Sequence, residues 1–224
     1  MEGIIYKTTR YDESSLLLFV FTKNGKYSLL AKGALNYKSE YRTVSQYLTL
    51  LSFEADEKKR NLQNLKSPSL INNYNTIKTD MKLYKTVSNI TLIIDKFLLD
   101  EKIDPVLNTQ IYNLVINTLS SNNIKLSTLS FLFNILRLEG YALDLIPKNK
   151  KVKGISIKEG SIIYEDSEVP VDLNLKDSTV LLKLYYNQDI ENIICEKQTY
   201  NNIVNFCYQY YLLHTSLQLD NLLD

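Results

Sequence analysis

Residues 16–34 carry the sequence LLLFVFTKNGKYSLLAKGA, which predicts two strands joined by a tight turn. Leu16–Phe21 is continuously apolar, as in a strand that is buried on both faces or that closes a barrel. Asn24-Gly25 follows this run, and the pair tolerates the positive φ angles of a two-residue hairpin. Tyr27–Lys32 is then the return strand, and Gly33 leads out of it into a basic loop.

Further short strands are predicted on both sides of this hairpin. Gly3–Thr9 alternates and is rich in β-branched residues, Ser15–Thr22 includes the apolar run, and Tyr47–Glu54 follows the basic loop. A fifth strand is expected between about Asn61 and Tyr74. Five short strands in fewer than 80 residues predict a small barrel of the OB type.

The hydrophobic period changes near residue 79, where three helices are predicted in succession. Apolar residues at helical spacing run from Asp80 to about Leu99. Asp104 followed by Pro105 predicts the start of a second helix, which extends to about Leu119. Ser127 is predicted to cap a third helix, which Gly140 ends.

The last third of the sequence predicts a hairpin and two more helices. Gly154–Tyr164 alternates around Glu159-Gly160, and helices resume near Asp177 and Thr199. The sequence therefore predicts an α+β protein that is mostly helical after its first 78 residues. We expect an OB-fold barrel over residues 1–78, packed on a helical domain over residues 79–224 with a hairpin near residues 152–165.

Charge is distributed unevenly along the chain. Residues 1–78 hold 12 Lys/Arg against 7 Asp/Glu, and residues 79–224 hold 14 against 18, for a net charge of +1 overall. This asymmetry suggests a polyanionic partner for the first part.

The sequence has neither an apolar run of about 18 residues nor the order of a signal peptide, so we expect a cytoplasmic protein with no membrane contact. Cys195 and Cys207 are expected to be free, buried thiols.

A basic, tyrosine-bearing segment is the main candidate for a functional site. Single-strand binders combine a basic groove for phosphates with aromatic faces on which bases stack, and Tyr27, Tyr37 and Tyr41 are interleaved with the cations here. The alternative is a solvated loop whose tyrosines pack on the barrel. The predicted DNA-contacting residues are Arg10, Lys23, Lys26, Lys32, Gly33, Tyr37, Lys38 and Arg42; Lys7 is a further candidate.

A second basic run lies between the helices and the hairpin. It comprises Lys148, Lys150, Lys151 and Lys153. The run is either an outer DNA contact or a solvated turn.

Catalytic patterns are absent from the sequence. His214 is the only histidine, the paired carboxylates are adjacent and therefore diverge, and the six glycines are scattered singly. We therefore predict no enzymatic activity, no catalytic residues, no cofactor and no small-molecule substrate.

Several short motifs follow one another along the chain. They are Met1-Glu2-Gly3, Glu13-Ser14, Phe21-Thr22 with Gly25, Ala31-Lys32-Gly33-Ala34 and Gln46-Tyr47, and later residues 138–145. In this order they resemble the bacterial recombination-mediator family RecO, whose corresponding later segment is "Leu-Leu-Gly-Tyr-x-x-Asp-Leu". The residue pattern departs from that family at Leu35, where arginine is frequent, and at Tyr47, where proline is found.

The resemblance implies a non-enzymatic role in recombinational DNA repair. Such proteins bind single- and double-stranded DNA, anneal strands, engage the acidic C-terminal tail of single-strand-binding protein, and with RecR help to load RecA. Many members hold a structural zinc with two Cys-x-x-Cys pairs, but residues 146–150 here contain no cysteine. With two Cys and one His in the chain, we predict a variant without zinc.

Two other functions fit the same sequence. An OB-fold RNA-binding module would share the basic loop, and competition between DNA and RNA oligonucleotides separates it from a DNA binder. A protein-interaction scaffold would act through the acidic helical part and would show no salt-sensitive binding of nucleic acid.

Overall fold

The structure is a computed structural model that describes residues 1–55, 62–98 and 104–219. Two compact units make up the chain: residues 1–84 with 91–116, and residues 85–90 with 117–224. The chain is α+β, as predicted. The predicted domain boundary between residues 78 and 79 stays a prediction.

A six-stranded sheet forms most of the first unit. Strands β1 (Glu2–Arg10), β2 (Leu16–Thr22) and β3 (Gly25–Ala31) form an antiparallel meander. The predicted hairpin is present, but its two turn residues are Lys23 and Asn24, one position before the predicted Asn24-Gly25; Gly25 pairs with Thr22 and has a φ of 103°. After the short helix α1 (Tyr41–Val44), strand β4 (Leu50–Glu54) pairs with β1 on its other side.

One segment closes this sheet into the predicted small barrel. Strand β5 (Gln63–Asn64) runs parallel to β3, whereas β6 (Lys66–Asn72) runs antiparallel to β4. Only Leu65 separates β5 from β6, and its amide donates to the Leu30 carbonyl at 2.9 Å. The sheet order β5-β3-β2-β1-β4-β6 therefore has both of its edges on the same stretch of chain.

Inward-facing side chains of the strands fill the barrel. They alternate along β2 and β3, as the two-residue period of a strand requires. Ala34 and Leu65 add to this core from outside the regular strands. The buried cluster comprises Ile5, Leu18, Val20, Tyr27, Leu29, Ala31, Ala34, Leu51, Phe53 and Leu65.

The strand predicted from Tyr47 begins only at Leu50. Leu48 has a φ of 54°, which is incompatible with an extended strand, and its amide donates to the Ile5 carbonyl at 2.8 Å. The predicted fifth strand is divided between β5 and β6, and Asn61 lies outside the described residues.

Helices α2 (Asn75–Thr79), α3 (Met81–Leu92) and α4 (Pro105–Leu119) follow the barrel strands. Asp80 and Asp104 cap α3 and α4, because each carboxylate accepts two backbone amides of the first turn. A π-helical turn, Ile93–Phe97, extends α3. The predicted end of this helix near Leu99 lies outside the described residues.

Helix α5 (Ile124–Leu138) is buried on all sides from Leu126 to Leu136, as expected of a central helix. The predicted cap at Ser127 is wrong. Asn123 caps the helix by accepting the Leu126 amide, and Ser127 lies one turn inside, where its hydroxyl donates to Ser121. Gly140 follows the helix with a φ of 87°, so the predicted glycine stop is confirmed.

The second unit also contains a three-stranded sheet. Strands β7 (Val152–Ser156) and β8 (Ser161–Tyr164) form the predicted hairpin, and β9 (Leu173–Asn174) adds a third strand beside β7. A Cβ on Gly154 would lie 2.0 Å from the Leu173 carbonyl oxygen, so β9 can approach only a glycine.

Two long helices and a short 3₁₀ turn complete the second unit. They are α6 (Leu175–Tyr185), the 3₁₀ turn Ile190–Asn192 and α7 (Lys197–Thr215). Helix α7 buries one face, which carries Ile203, Phe206, Cys207 and Tyr210, whereas Leu213 near its end is 59% exposed. None of the helices within the described ranges is both long and apolar enough to cross a bilayer.

Candidate nucleic-acid interface

The predicted cations of the barrel lie at two opposite ends of β2 and β3. Arg10 pairs with Leu16, and Leu16 pairs with Ala31, so Arg10 and Lys32 flank the same end of the sheet. Lys23 and Lys26 lie at the other end, six residues or roughly 20 Å along the strands. We refer to residues 10 and 32–42 as the loop end, and to Lys23 and Lys26 as the turn end.

Side chains at the turn end contact their own unit. The Lys26 ammonium donates to the Leu98 carbonyl at 2.6 Å, at the end of the π-helical turn. Lys23 lies 5.9 Å above the ring of Tyr112, and Asn108 donates to the Lys23 carbonyl. These cations therefore take part in internal packing, and the structure does not bring them together with the loop end.

Lys7, the further candidate of the sequence analysis, is similarly engaged. Its ammonium forms an ion pair with Asp95 at 2.9 Å and lies 5.4 Å from the ring of Phe19. Exposed pairs of this kind are easily broken, but the lysine has an anionic partner already.

Successive tight turns hold the loop end in shape. Amides of Ala34, Asn36, Ser39 and Arg42 each donate to the carbonyl three residues earlier, at 3.0–3.4 Å. Gly33 has a positive φ of 70°. Ala34 is buried in the barrel core, and the Leu35 amide donates to the Ser14 carbonyl at 2.8 Å. The loop is therefore anchored at its base and presents its polar side chains outward.

Of the three tyrosines predicted for the interface, only Tyr37 faces solvent. It is 86% exposed, and the Arg42 guanidinium carbon lies 5.3 Å from the centre of its ring. Tyr27 is in the core with its ring edge against Phe53, and burial raises its pKa. Tyr41 packs half-buried against the same core. For Tyr27 and Tyr41 the alternative reading, tyrosines that pack on the barrel, is the correct one.

Lys32, Lys38 and Arg42 form a group of exposed cations. Within the described ranges, none of the three has an ion pair. Arg10 differs, because its guanidinium donates to the Asp12 and Glu13 carbonyls at 3.1 Å and so braces the β1–β2 loop. The loop end thus offers three available cations and one exposed aromatic ring on the same loop.

The second basic run has a different environment. Lys150 pairs with Asp166 at 2.5 Å and Lys151 with Glu165 at 3.7 Å. The Lys153 ammonium donates to the Val169 carbonyl at 3.2 Å, and the Lys148 backbone amide donates to the Tyr164 hydroxyl. The hydrogen bond between Lys150 and Asp166 raises the pKa of the lysine and lowers that of the carboxyl.

Comparison with known proteins agrees with these observations. The family model described as "Recombination protein O N terminal" matches residues 1–74, which include β1–β6 and the loop end. A "DNA repair protein RecO" of Halalkalibacterium halodurans is 26% identical over 97% of this chain and 90% of its own length. One from Mycoplasma mycoides is 28% identical over 94% of this chain and 90% of its own. One from Bacillus cereus is 32% identical over 113 residues, half of this chain.

Residues 1–74 thus match the RecO N-terminal family model, and the chain is similar to proteins named RecO over most of its length. The OB-fold prediction is thereby confirmed, because the matched N-terminal region of RecO is an OB-fold domain and the barrel of β1–β6 is built accordingly.

The residues of this chain do not fit the structural zinc that many members of the resembled family hold. Cys195 lies half-buried before α7, and Cys207 is buried within it. Burial raises the pKa of both thiols, which opposes the thiolate form that binds metal. Within the described ranges, no three His, Cys, Asp or Glu residues are grouped as metal ligands.

Sequence reasoning missed the contribution of residues 12–15 to the loop end. Asp12 accepts the amides of Ser14 and Ser15 at 2.7 Å, and Ser15 accepts the Gly33 amide at 3.4 Å. These contacts join segments 18 residues apart, so local spacing does not reveal them. The equal lengths of β2 and β3 could have indicated them, because matched strands bring the two loops to the same end.

Proposed function

We propose that this chain acts in recombinational DNA repair as a DNA-binding mediator without a chemical step of its own. The observation that carries the proposal is the loop end, an anchored loop that exposes Lys32, Lys38, Arg42 and the ring of Tyr37, with Arg42 over that ring. Cations bind phosphates and aromatic faces bind bases, which is the combination found in single-strand binders. Double-stranded DNA would bind through its phosphates alone.

Strand annealing follows from the same surface. Two complementary strands repel each other through their phosphates, and a protein that neutralises part of that charge lets them approach. The step requires positive charge and no catalytic group. This agrees with the relatives of the chain, which are named DNA repair proteins.

The test measures binding of a single-stranded oligonucleotide by full-length variants across a salt series. Each phosphate contact contributes about −0.7 to the slope of log affinity against log salt. Replacing Lys32, Lys38 and Arg42 by Ala should flatten that slope by about 2 and weaken binding at every salt concentration. The matched control replaces Lys148, Lys150 and Lys151 by Ala and should leave the slope nearly unchanged.

Other outcomes identify the alternatives. An unchanged slope in the loop variant together with a flattened slope in the control would move the DNA site to the hairpin. A preference for RNA over DNA in competition would favour the RNA-binding module. Absence of salt-sensitive binding in the unmodified chain would favour the interaction scaffold.

Partners are proposed from the family resemblance: the acidic tail of single-strand-binding protein, RecR, and through them RecA. Arg137 and Lys125 are the sequence-based candidates for the tail, but the Arg137 guanidinium already donates to Asn134 and lies over the ring of Tyr185. An open cleft in the second unit combines apolar side chains with a cation. It is lined by Val180, Lys183, Gln188, Asp189, Asn192, Ile193 and Ile194, and Ile194 is 96% exposed.

The cleft suits an acidic peptide with an apolar end, because Lys183 would meet a carboxylate beside the two isoleucines. Fluorescence anisotropy with such a peptide tests the assignment. Lys183→Ala should weaken binding at least several-fold, whereas Lys176→Ala, which removes a lysine paired with Glu196, should not. Loss of binding only with Arg137→Ala would return the site to the residue that the sequence indicated.

A further inference from the structure

The geometry points to Tyr37 as the residue that selects unpaired bases, with Arg42 as its positioning residue. This inference rests on the proposed function and deepens it, since it names the form of DNA that the loop end recognises. It also divides the loop end into two activities: cations that bind any phosphate backbone, and one ring that binds only a base whose face is free.

Exposure of Tyr37 has no explanation in the packing of the barrel. Its side chain is 86% exposed, while the neighbouring Tyr41 and Ala34 turn into the core. An aromatic ring held in water at the tip of an anchored loop is available for stacking on any face that the protein leaves uncovered.

The Arg42 guanidinium lies on one face of that ring, 5.3 Å from its centre. Planar guanidinium groups stack on aromatic faces and orient them. Arg42 lies in α1, and its amide donates to the carbonyl of Ser39, just before the helix, at 3.2 Å, which fixes its backbone. One face of Tyr37 is therefore supported by the protein, and the opposite face is open to a base.

Only an unpaired base can use that open face. In a duplex, each base inside the helix is stacked on both sides, so the ring could be reached only by unstacking a step at a cost of a few kcal/mol. A single strand has no such cost, and stacking on an aromatic side chain strengthens binding by about fivefold or more per base. The Watson–Crick edge of a base on an open ring stays exposed, so the bound strand can still pair with its complement.

The experiment separates base from phosphate by using two single-stranded oligonucleotides of equal length. One carries thymine at every position, and the other carries abasic sites with the same number of phosphates. The full-length chain should bind the thymine oligonucleotide about fivefold or more tightly than the abasic one. Tyr37→Leu should bring that ratio close to one, with the salt slope and the affinity for duplex unchanged.

Matched variants make the result specific. Tyr37→Phe keeps the ring and should keep the ratio, and Tyr186→Leu removes another exposed tyrosine, 45% exposed in the second unit, and should change nothing. Arg42→Lys keeps the charge but loses the planar group, so it should lower the ratio while keeping the salt slope.

A ratio that survives Tyr37→Leu would overturn the inference, while a steep salt slope in the same variant would leave the proposed DNA site standing. If the affinity of the unmodified chain for DNA did not depend on salt at all, the proposed function would instead be overturned.

Discussion

The loop end and the hairpin run show how differently two basic segments of one chain can be used. In sequence the hairpin run is the more basic of the two, with four lysines between residues 148 and 153 and no acid among them. The loop has three cations between residues 32 and 42, interrupted by Glu40. In the structure, Lys150 and Lys151 face carboxylates, while the three loop cations have no ion pair within the described ranges.

Strand register explains the difference. The hairpin folds residues 150–152 back against residues 164–166, because Val152 pairs with Tyr164. Lysines and carboxylates that are 14 or more residues apart therefore become neighbours. The loop end instead lies beside the β1–β2 loop, whose Asp12 carboxylate is already taken by the Ser14 and Ser15 amides, which lower its pKa. Whether a cation is free to bind a phosphate thus depends on which residues the neighbouring strands place beside it.

Two glycine substitutions should give the largest effects and separate the two regions. Gly154→Ala places a Cβ 2.0 Å from the Leu173 carbonyl oxygen, so β9 must move, and we expect the free energy of unfolding to fall by about 2–3 kcal/mol. Gly33→Ala meets only the Asn36 side chain at 3.3 Å, and its positive φ should cost about 1–2 kcal/mol.

Urea unfolding and DNA binding should be measured for both glycine variants. We expect Gly154→Ala to bind DNA normally at temperatures where it is folded, and Gly33→Ala to bind more weakly. Weaker DNA binding by Gly154→Ala alone would break the distinction between a structural hairpin and a binding loop.

His214 should show a smaller effect, because it holds the hairpin turn to α7. Its Nε2 lies 2.9 Å from the Ile157 carbonyl oxygen, and its ring lies 4.1 Å from that of Tyr210. Loss of one partly buried hydrogen bond and a ring contact predicts that His214→Ala lowers the free energy of unfolding by about 1–2 kcal/mol. Leu213→Ala, at the exposed neighbouring position, is the control and should cost less than about 0.5 kcal/mol. Equal losses in the two variants would remove His214 as a tether.

These contacts show which parts of the fold could be predicted from sequence. The β2–β3 hairpin, the Asp104 cap and the stop at Gly140 depend on chain neighbours; the cap and the stop were predicted correctly, and the hairpin turn was predicted one residue too late. Closure of the barrel by residues 63–72, the third strand β9 and the separation of Lys23 and Lys26 from Lys32 depend on residues far apart in sequence. The number of cations in the candidate site could be read from the sequence, but the groups that each cation contacts could not.

Releasing the hairpin lysines should produce a modest gain in DNA binding. Glu165→Gln with Asp166→Asn removes the partners of Lys151 and Lys150, so the salt slope should steepen by up to about 1.4, two contacts, and affinity at low salt should rise a few-fold. Glu159→Gln with Glu168→Gln changes the net charge equally without freeing a lysine, and it is the control. The same gain in both variants would mean that net charge alone, and not pairing, distinguishes the hairpin run from the loop end.

The smallest expected effect is that of a metal chelator, which should leave the melting temperature unchanged. In a zinc-stabilised hairpin, removal of the metal would remove folding free energy directly. Here the hairpin is held by other contacts: the Asp144 amide donates to the Gly160 carbonyl at 2.8 Å, Asp172 accepts the Ile157 amide at 2.7 Å, and His214 contacts the same residue. Chelation does not affect these hydrogen bonds. Elemental analysis of the purified chain should accompany the melting curves, since one zinc per chain together with a lowered melting temperature would require a site at Cys195, Cys207 and His214. The alternative outcome is that the chelator leaves the melting temperature of the wild type unchanged while the His214→Ala substitution lowers it. That outcome would assign the stability of the hairpin to these side-chain and backbone contacts.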